Sequence, residues 1–166
     1  MSDGPIVDPK DMYALHVMPG HLIRRLNQIS MAIFNDRITE MGLDLTSVQF
    51  CALIMLSERP GIDQATLAGL IAYDRATIGG VLDRLDAKGL ISRQIHPRDR
   101  RARMLKLTPA GDALLAVVLP EVQALQHDIL AGLPPEDRSE FLRLLQVLTD
   151  AGNELSRAPL VLPESR

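Results

Sequence analysis

Arginine crowds into one short stretch of this chain. Arg98, Arg100 and Arg101 stand in the run His96-Pro97-Arg98-Asp99-Arg100-Arg101-Ala102, with Arg93, Arg103 and Lys106 close by and Asp99 the one opposing charge. A guanidinium is a planar fork of donors that fits a phosphate, and it can also enter a narrow minor groove. The run cannot be core, because its four charges would have to be desolvated. A solvated hairpin tip is the alternative reading. Its position, directly after two short helical patterns, favours DNA. Asp99 is suited to orient Arg101 through a carboxylate–guanidinium pair rather than to touch DNA itself.

The elements that must hold these arginines lie between Asp63 and Thr108. Asp63 caps a short helix with Leu67, Leu70 and Ile71 inward, and Asp74 caps a second with Ile78, Val81, Leu82 and Leu85 inward. Lys88-Gly89 closes the second with a basic last turn and a C-cap glycine. Leu90–Ile95 and Arg103–Leu107 alternate as paired strands on either side of the arginine turn. The order is a helix-turn-helix followed by a β-hairpin wing.

On the second of these helices Ala76, Thr77, Gly80, Asp83 and Arg84 oppose the apolar stripe, and Arg75 stands in its exposed first turn. A recognition helix offers its N-terminal residues to base edges, so Arg75 and Thr77 are the readout candidates: guanine for the arginine, a thymine methyl for the threonine. The candidate DNA-contacting set is Gln64, Thr66, Arg75, Thr77, Gly80, Arg84, Arg98, Arg100, Arg101 and Arg103. Gly79-Gly80 costs about 1 kcal/mol per glycine inside a helix. Close approach to a DNA backbone and close packing on a neighbouring helix both account for it.

Composition bounds the rest. At 166 residues the chain is one domain with helical extensions, and with 46% hydrophobic but only 3% aromatic residues its core must be aliphatic, which suits helix packing. No apolar run reaches the ~20 residues of a membrane span, and MSDGPIVDPKD lacks the layout of a signal peptide. The single cysteine, Cys51, excludes an intramolecular disulfide and a multi-cysteine metal site, so a cytoplasmic protein is expected. Cys51 falls on an apolar helix and is expected to be an inert core residue. The net charge of −3 argues against nucleic acid only as a sum, because DNA feels the local field within a Debye length of about 8–10 Å. The histidines are scattered, no catalytic motif occurs, and neither an enzyme, a metal nor a cofactor is expected.

Residues 1–18 read as an arm and 157–166 as a tail without helical pattern. Between them, Pro19 opens a helix with the stripe Leu22, Leu26, Ile29 and Ile33, ending near Gly42. Thr46 caps a buried helix that stops at Arg59-Pro60-Gly61. Thr108-Pro109 opens a long helix carrying Leu114, Leu115, Val118, Val122, Leu125 and Ile129, with Pro120 expected to kink it. A last helix runs through Phe141, Leu144, Leu145 and Leu148. The DNA-reading block is thus 46–107, between long helical arms 19–42 and 108–156. On the first arm His21, Arg25, Gln28 and Ala32 flank the apolar stripe. A histidine, an arginine and an amide beside a small residue could hold a carboxylate on an aromatic ring, and Tyr73 could line the same pocket. Pairing of Arg24 and Arg25 with the acidic C-terminal helices, with His21 at the surface and Tyr73 in packing, is the plainer alternative.

Asp99-Arg100-Arg101, then Leu107-Thr108 and Gly111, resembles the wing signature of the MarR (multiple antibiotic resistance regulator) family. The frame from Leu67 to Ile91 and the helix order over residues 19 to 156 are similar too. The resemblance implies an α+β, mainly α, winged helix-turn-helix with long N- and C-terminal dimerisation helices. It implies a homodimeric repressor on pseudo-palindromic promoter DNA, released by a ligand. The stretch GHLIRRLNQI resembles the branch that answers to aromatic-catabolism acids, hydroxylated nicotinic and benzoic acids among them. Peroxide-sensing members carry a reactive cysteine near the start of the first long helix, and this chain has none there. A helical homodimer that does not bind DNA specifically is the competing function, but it leaves the arginine wing unexplained.

Overall fold

A computed structural model describes residues 15–96 and 99–162, with side chains for 15–95 and 103–162. After a 3-10 turn at Leu15–Val17, the order is α1 (Pro19–Glu40), α2 (Ser47–Glu58), α3 (Gln64–Leu70), α4 (Ile78–Ala87), β1 (Ile91–His96), β2 (Asp99–Leu107), α5 (Pro109–Ile129) and α6 (Pro135–Ala151). A second 3-10 turn at Asn153–Leu155 follows.

Helix boundaries follow local chemistry. Pro19 opens α1, and Gly42, at φ +69°, lets the chain leave it while Leu43 N–H returns to the Ile38 carbonyl at 3.0 Å. Thr46 and Gln49 form a reciprocal capping box on α2: Gln49 N–H donates to Thr46 Oγ1 at 3.3 Å, and Thr46 N–H donates to Gln49 Oε1 at 3.0 Å. Asp63 caps α3 by accepting from Thr66 N–H at 2.8 Å. Helix α5 runs through Pro120 to Ile129.

Leu53, Leu56, Leu67, Ile78, Leu82, Leu85, Ile91, Leu105, Val118 and Leu125 form an aliphatic centre to which α2, α3, α4, the hairpin base and α5 all contribute. Gly61 N–H donates to Leu105 C=O at 2.8 Å and Leu105 N–H to Ile62 C=O at 2.9 Å, which lays the α2–α3 connection along β2. At the far end Arg37 of α1 reaches Glu121 at 2.8 Å and Asp128 at 3.6 Å on α5.

Four expectations need correction. The hairpin is longer than its alternation suggested: β1 reaches His96 and β2 begins at Asp99, the register slipping between Ile95 and His96. A ladder is made by main-chain N–H and C=O groups, so side-chain polarity alone does not end a strand. Cys51 is not in the core. It is exposed on the outer side of α2, although desolvation by the surrounding chain still raises its thiol pKa and keeps it protonated.

Asp74 does not cap α4 directly. It accepts from Ala76 N–H at 2.7 Å and Thr77 N–H at 3.2 Å within a separate turn, and α4 begins at Ile78. The stripe of α1 is also less buried than its spacing implied. Leu22 and Ile29 are exposed, and only Phe34 and Ile38 are buried. None of the α6 side chains is buried.

A candidate nucleic-acid interface

The turn Asp74–Thr77 and α4 form the reading element. Ile78, Val81, Leu82 and Leu85 seat α4 on the core, which turns Arg75, Thr77, Gly80, Asp83 and Arg84 outward, all exposed. Arg75 therefore stands ahead of the helix, not within it, on a turn fixed by the Asp74 carboxylate. On α3, Thr66 is exposed with its hydroxyl on Asp63 Oδ2 at 3.1 Å, and Gln64 lies toward α4.

The two glycines of α4 differ. A Cβ at Gly79 would meet Gln64 Nε2 at 3.6 Å, ordinary contact, whereas a Cβ at Gly80 would meet nothing within 4 Å. Packing inside the protein does not account for Gly80. Gly80→Ala is expected to stabilise the fold by up to about 1 kcal/mol, a Tm rise of about 2–4 °C, because the glycine penalty disappears. It is also expected to weaken duplex binding about tenfold, the methyl intruding where backbone meets DNA. Thermal melts and anisotropy on the same sample check both; unchanged DNA affinity would remove the case for close approach.

The basic patch is smaller than the sequence suggested. Arg93, counted among the free cations, is held by Asp83 and by Asp86 at 3.7 Å, both on α4. This pairing ties the wing to the recognition helix instead of presenting charge. Arg103 is exposed on β2. Arg98 and the side chains of Arg100 and Arg101 lie outside the described residues, while Arg100 and Arg101 themselves belong to β2.

The base of the wing is locked to α5. Thr108 accepts from Gly111 N–H at 3.1 Å and donates to Gly89 C=O at 2.6 Å, and Thr108 N–H donates to Leu90 C=O at 3.1 Å. Gly111 packs so closely that a Cβ there would stand 2.0 Å from the Leu90 carbonyl oxygen.

Of the effector candidates, His21 is partly buried and Arg25 and Gln28 are exposed along the same flank of α1, with Gln28 Oε1 accepting from Arg24 at 2.7 Å. His16 stacks edge-on to His21 with ring centres 5.6 Å apart. Desolvation, then the charges of Arg24, His16 and Arg25, lower the His21 pKa from its ordinary value. Arg25 lines a largely apolar cleft of about 640 Å³ between α1 and α6, walled by Leu22, Leu26 and Ile29 on one side and Phe141, Leu145 and Leu148 on the other, with Thr149 at its edge; His21 and Gln28 are not among its walls. Tyr73 lines a different cavity, beside Asp74 and Arg75. Among the described residues no cluster of His, Cys, Asp and Glu is placed to hold a metal.

These elements define a winged helix-turn-helix flanked by long helices. The MarR family profile matches residues 45–102. The transcriptional repressor NicR of Pseudomonas putida is 34% identical over 132 residues, covering 80% of this chain and 82% of NicR. The chain belongs to the MarR family. Bordetella bronchiseptica BpsR, whose DNA binding is regulated by 6-hydroxynicotinic acid, superposes with TM-score 0.75 at 33% identity, over 81% of this chain and 94% of BpsR. The repressor CouR, solved on a 23-mer DNA duplex, superposes with TM-score 0.72 at 28% identity, over 82% of this chain and 96% of CouR.

Proposed function

We propose that this chain is a ligand-responsive, DNA-binding transcriptional regulator, a homodimeric repressor released from pseudo-palindromic promoter DNA by a small aromatic or heteroaromatic carboxylate. The observation that carries the reading is the outward row Arg75, Thr77, Gly80 and Arg84 on a winged helix whose relatives include a named repressor. The named relatives regulate transcription; a catalytic role has no support among them. No helix among the described residues is long and apolar enough to cross a membrane, and a regulator of promoters works in the cytoplasm.

The reading block is assigned to 46–107 and the pairing helices to 19–42 and 108–156. Two recognition helices about one DNA turn apart, roughly 34–36 Å, reach successive major grooves. The wing residues Arg98, Arg100, Arg101 and Arg103 supply phosphate or minor-groove contacts beside them, with Gln64 and Thr66 at the start of α3. His21, Arg25 and Gln28 supply the effector contacts, with Tyr73 as a further wall. An effector favouring the DNA-incompetent spacing shifts the dimer toward it by its differential affinity.

The test is fluorescence anisotropy on the duplex upstream of the protein's own gene, across salt, with and without 6-hydroxynicotinate and benzoate. Tight binding that falls steeply with salt and is reversed by one acid is the expected result. Absence of binding at low salt would overturn the DNA-binding reading in favour of a helical scaffold.

A pH dependence follows from His21. Its pKa lies below 6.5 in the folded chain, so the ring is neutral at pH 7 and protonating it costs stability as pH falls through the unfolded value. A bound carboxylate reverses the balance by favouring the imidazolium, so binding takes up a proton. Effector affinity is expected to rise as pH falls through about 6.5 and to level off once free His21 is itself protonated. Calorimetry in two buffers of different ionisation enthalpy reads the proton directly, and His21→Gln is expected to abolish the uptake. Equal uptake by that variant would exclude His21 as the group.

A further inference from the structure

The segment after α6, patternless in sequence, is anchored at both ends. The Asn153 side chain grips the backbone of Leu160 twice: Nδ2 donates to Leu160 C=O at 3.0 Å, and Oδ1 accepts from Leu160 N–H at 2.7 Å. Ser156 Oγ accepts from Ala158 N–H at 3.1 Å and tightens the intervening turn. One residue on, Val161 N–H donates to the Gly69 carbonyl of α3 at 2.9 Å.

Gly69 is buried beneath this contact. A Cβ there would stand 3.1 Å from Val161 Cβ and 3.2 Å from its Cγ2. The strap then borders both sides of the reading turn. Arg157, Ala158, Pro159 and Val161 share a cavity with Tyr73, Asp74, Arg75 and Ala76, and Val161 and Leu162 share another with Asp63, Thr66 and Arg75.

We propose that Asn153 is a positioning residue for DNA reading: by pinning the 156–162 strap onto Gly69, it ties the end of α6 to the turn that carries Arg75. The inference rests on the DNA-binding function proposed above. Among the described residues, α6 buries nothing against the reading block, so the strap is a short covalent and hydrogen-bonded route between the two. A change in α6 reaches Arg75 through backbone, without needing the core to deform. Loss of the pin leaves the reading turn mobile about α3, and the DNA must then order it on binding.

The test compares the full chain with Asn153→Ala, Asn153→Asp and a chain ending at Arg157. Each is assayed for dimer state, for anisotropy on the same upstream duplex across salt, and for amide exchange. The expected result for Asn153→Ala and the shortened chain is an unchanged dimer and a duplex affinity lower by about five- to tenfold. The salt slope should stay unchanged, because no phosphate contact is lost. Asn153→Asp keeps the acceptor for Leu160 N–H and is expected to fall between.

Exchange should quicken at Leu160, Val161 and Tyr73 in Asn153→Ala and stay slow in α2. Unchanged affinity, or tighter binding by the shortened chain, overturns the proposal, the latter marking the strap as a cover over the reading turn. If the full chain itself ignores the duplex, the function fails separately. Exchange then still decides the pin, and unaltered protection at Leu160, Val161 and Tyr73 in Asn153→Ala overturns it.

Discussion

Leu145→Asp combined with Leu148→Asp is expected to convert the protein to monomers and abolish duplex binding while leaving its helix content intact. In the single chain Leu145 is 37% exposed and Leu148 66% exposed, and both face Leu22, Leu26 and Ile29 across the cleft between α1 and α6. Leu142, Leu144 and Val147 extend this apolar surface along α6. So much exposed apolar surface calls for a cover, and the homodimer proposed above is the cover it fits. Each leucine buried there contributes about 1.5–3 kcal/mol. A C2 dimer doubles the count to four leucines, and the substitution also strands four carboxylates in the seam. Because Leu145 and Leu148 together leave about one leucine's worth of surface per protomer to bury, the expected loss is at least about 3 kcal/mol, more than two orders of magnitude in dimer affinity. A monomer holds one recognition helix, so the gain from two half-sites vanishes with it. Sedimentation and circular dichroism on the same sample check the claim. A variant that remains dimeric, with native duplex affinity, would place the subunit contact elsewhere.

The reading block was legible because its signals are local. A threonine at Thr46, an aspartate at Asp63, a threonine before proline at Thr108 and a glycine at Gly42 each act through hydrogen bonds or backbone angles within one turn. The structure shows each in its expected place. The aliphatic stripe of α5 was equally plain, because its partners are in the same chain: Leu115, Val118, Val122 and Leu125 are buried, with Leu114 and Ile129 half-buried beside them. The stripes of α1 and α6 read the same way in sequence but are only partly covered, Leu22, Ile29, Leu144, Leu145 and Leu148 being exposed, since apolar spacing tells that a face needs a partner and not which chain provides it. Arg93 was misjudged because its acids sit on another element: Asp83 and Asp86 are near it only once β1 folds against α4. The strap had no signal at all, since its grip uses backbone atoms of Leu160, Val161 and Gly69. The effector candidates stand at an intermediate level. His21, Arg25 and Gln28 share a flank of α1 as their spacing required, but of the three only Arg25 lines the α1–α6 cleft, and Tyr73 lines another cavity in the single chain.

Gly111→Ala is expected to be the most damaging conservative change in the chain. The methyl would stand 2.0 Å from the Leu90 carbonyl oxygen and 3.0 Å from its carbon, and these are backbone atoms that no rotamer change can move. Nor can the carbonyl retreat freely, because it accepts from Thr108 N–H at 3.1 Å and Leu90 is itself buried at the foot of β1. Either α5 lifts from the wing base or the Thr108 cap breaks, and both disturb the aliphatic centre around Ile91 and Leu105. Overpacking of this kind costs about 3 kcal/mol or more, against a total stability of roughly 5–15 kcal/mol. The helix-propensity gain of alanine over glycine, about 1 kcal/mol, opposes the clash but is smaller. Thr108→Ala supplies the scale: it removes the cap without adding bulk and is expected to cost about 1 kcal/mol. In urea denaturation the midpoints should therefore fall in the order parent, Thr108→Ala, Gly111→Ala, the last by a net cost of about 2 kcal/mol or more, a Tm equivalent of about 4–8 °C. The wing and α4 hang on this joint at one side and α5 leads away from it at the other, so duplex affinity should fall with stability in Gly111→Ala. A midpoint for Gly111→Ala at or above that of Thr108→Ala would mean that α5 can slide past Leu90, and that the glycine is not what fixes the wing to α5.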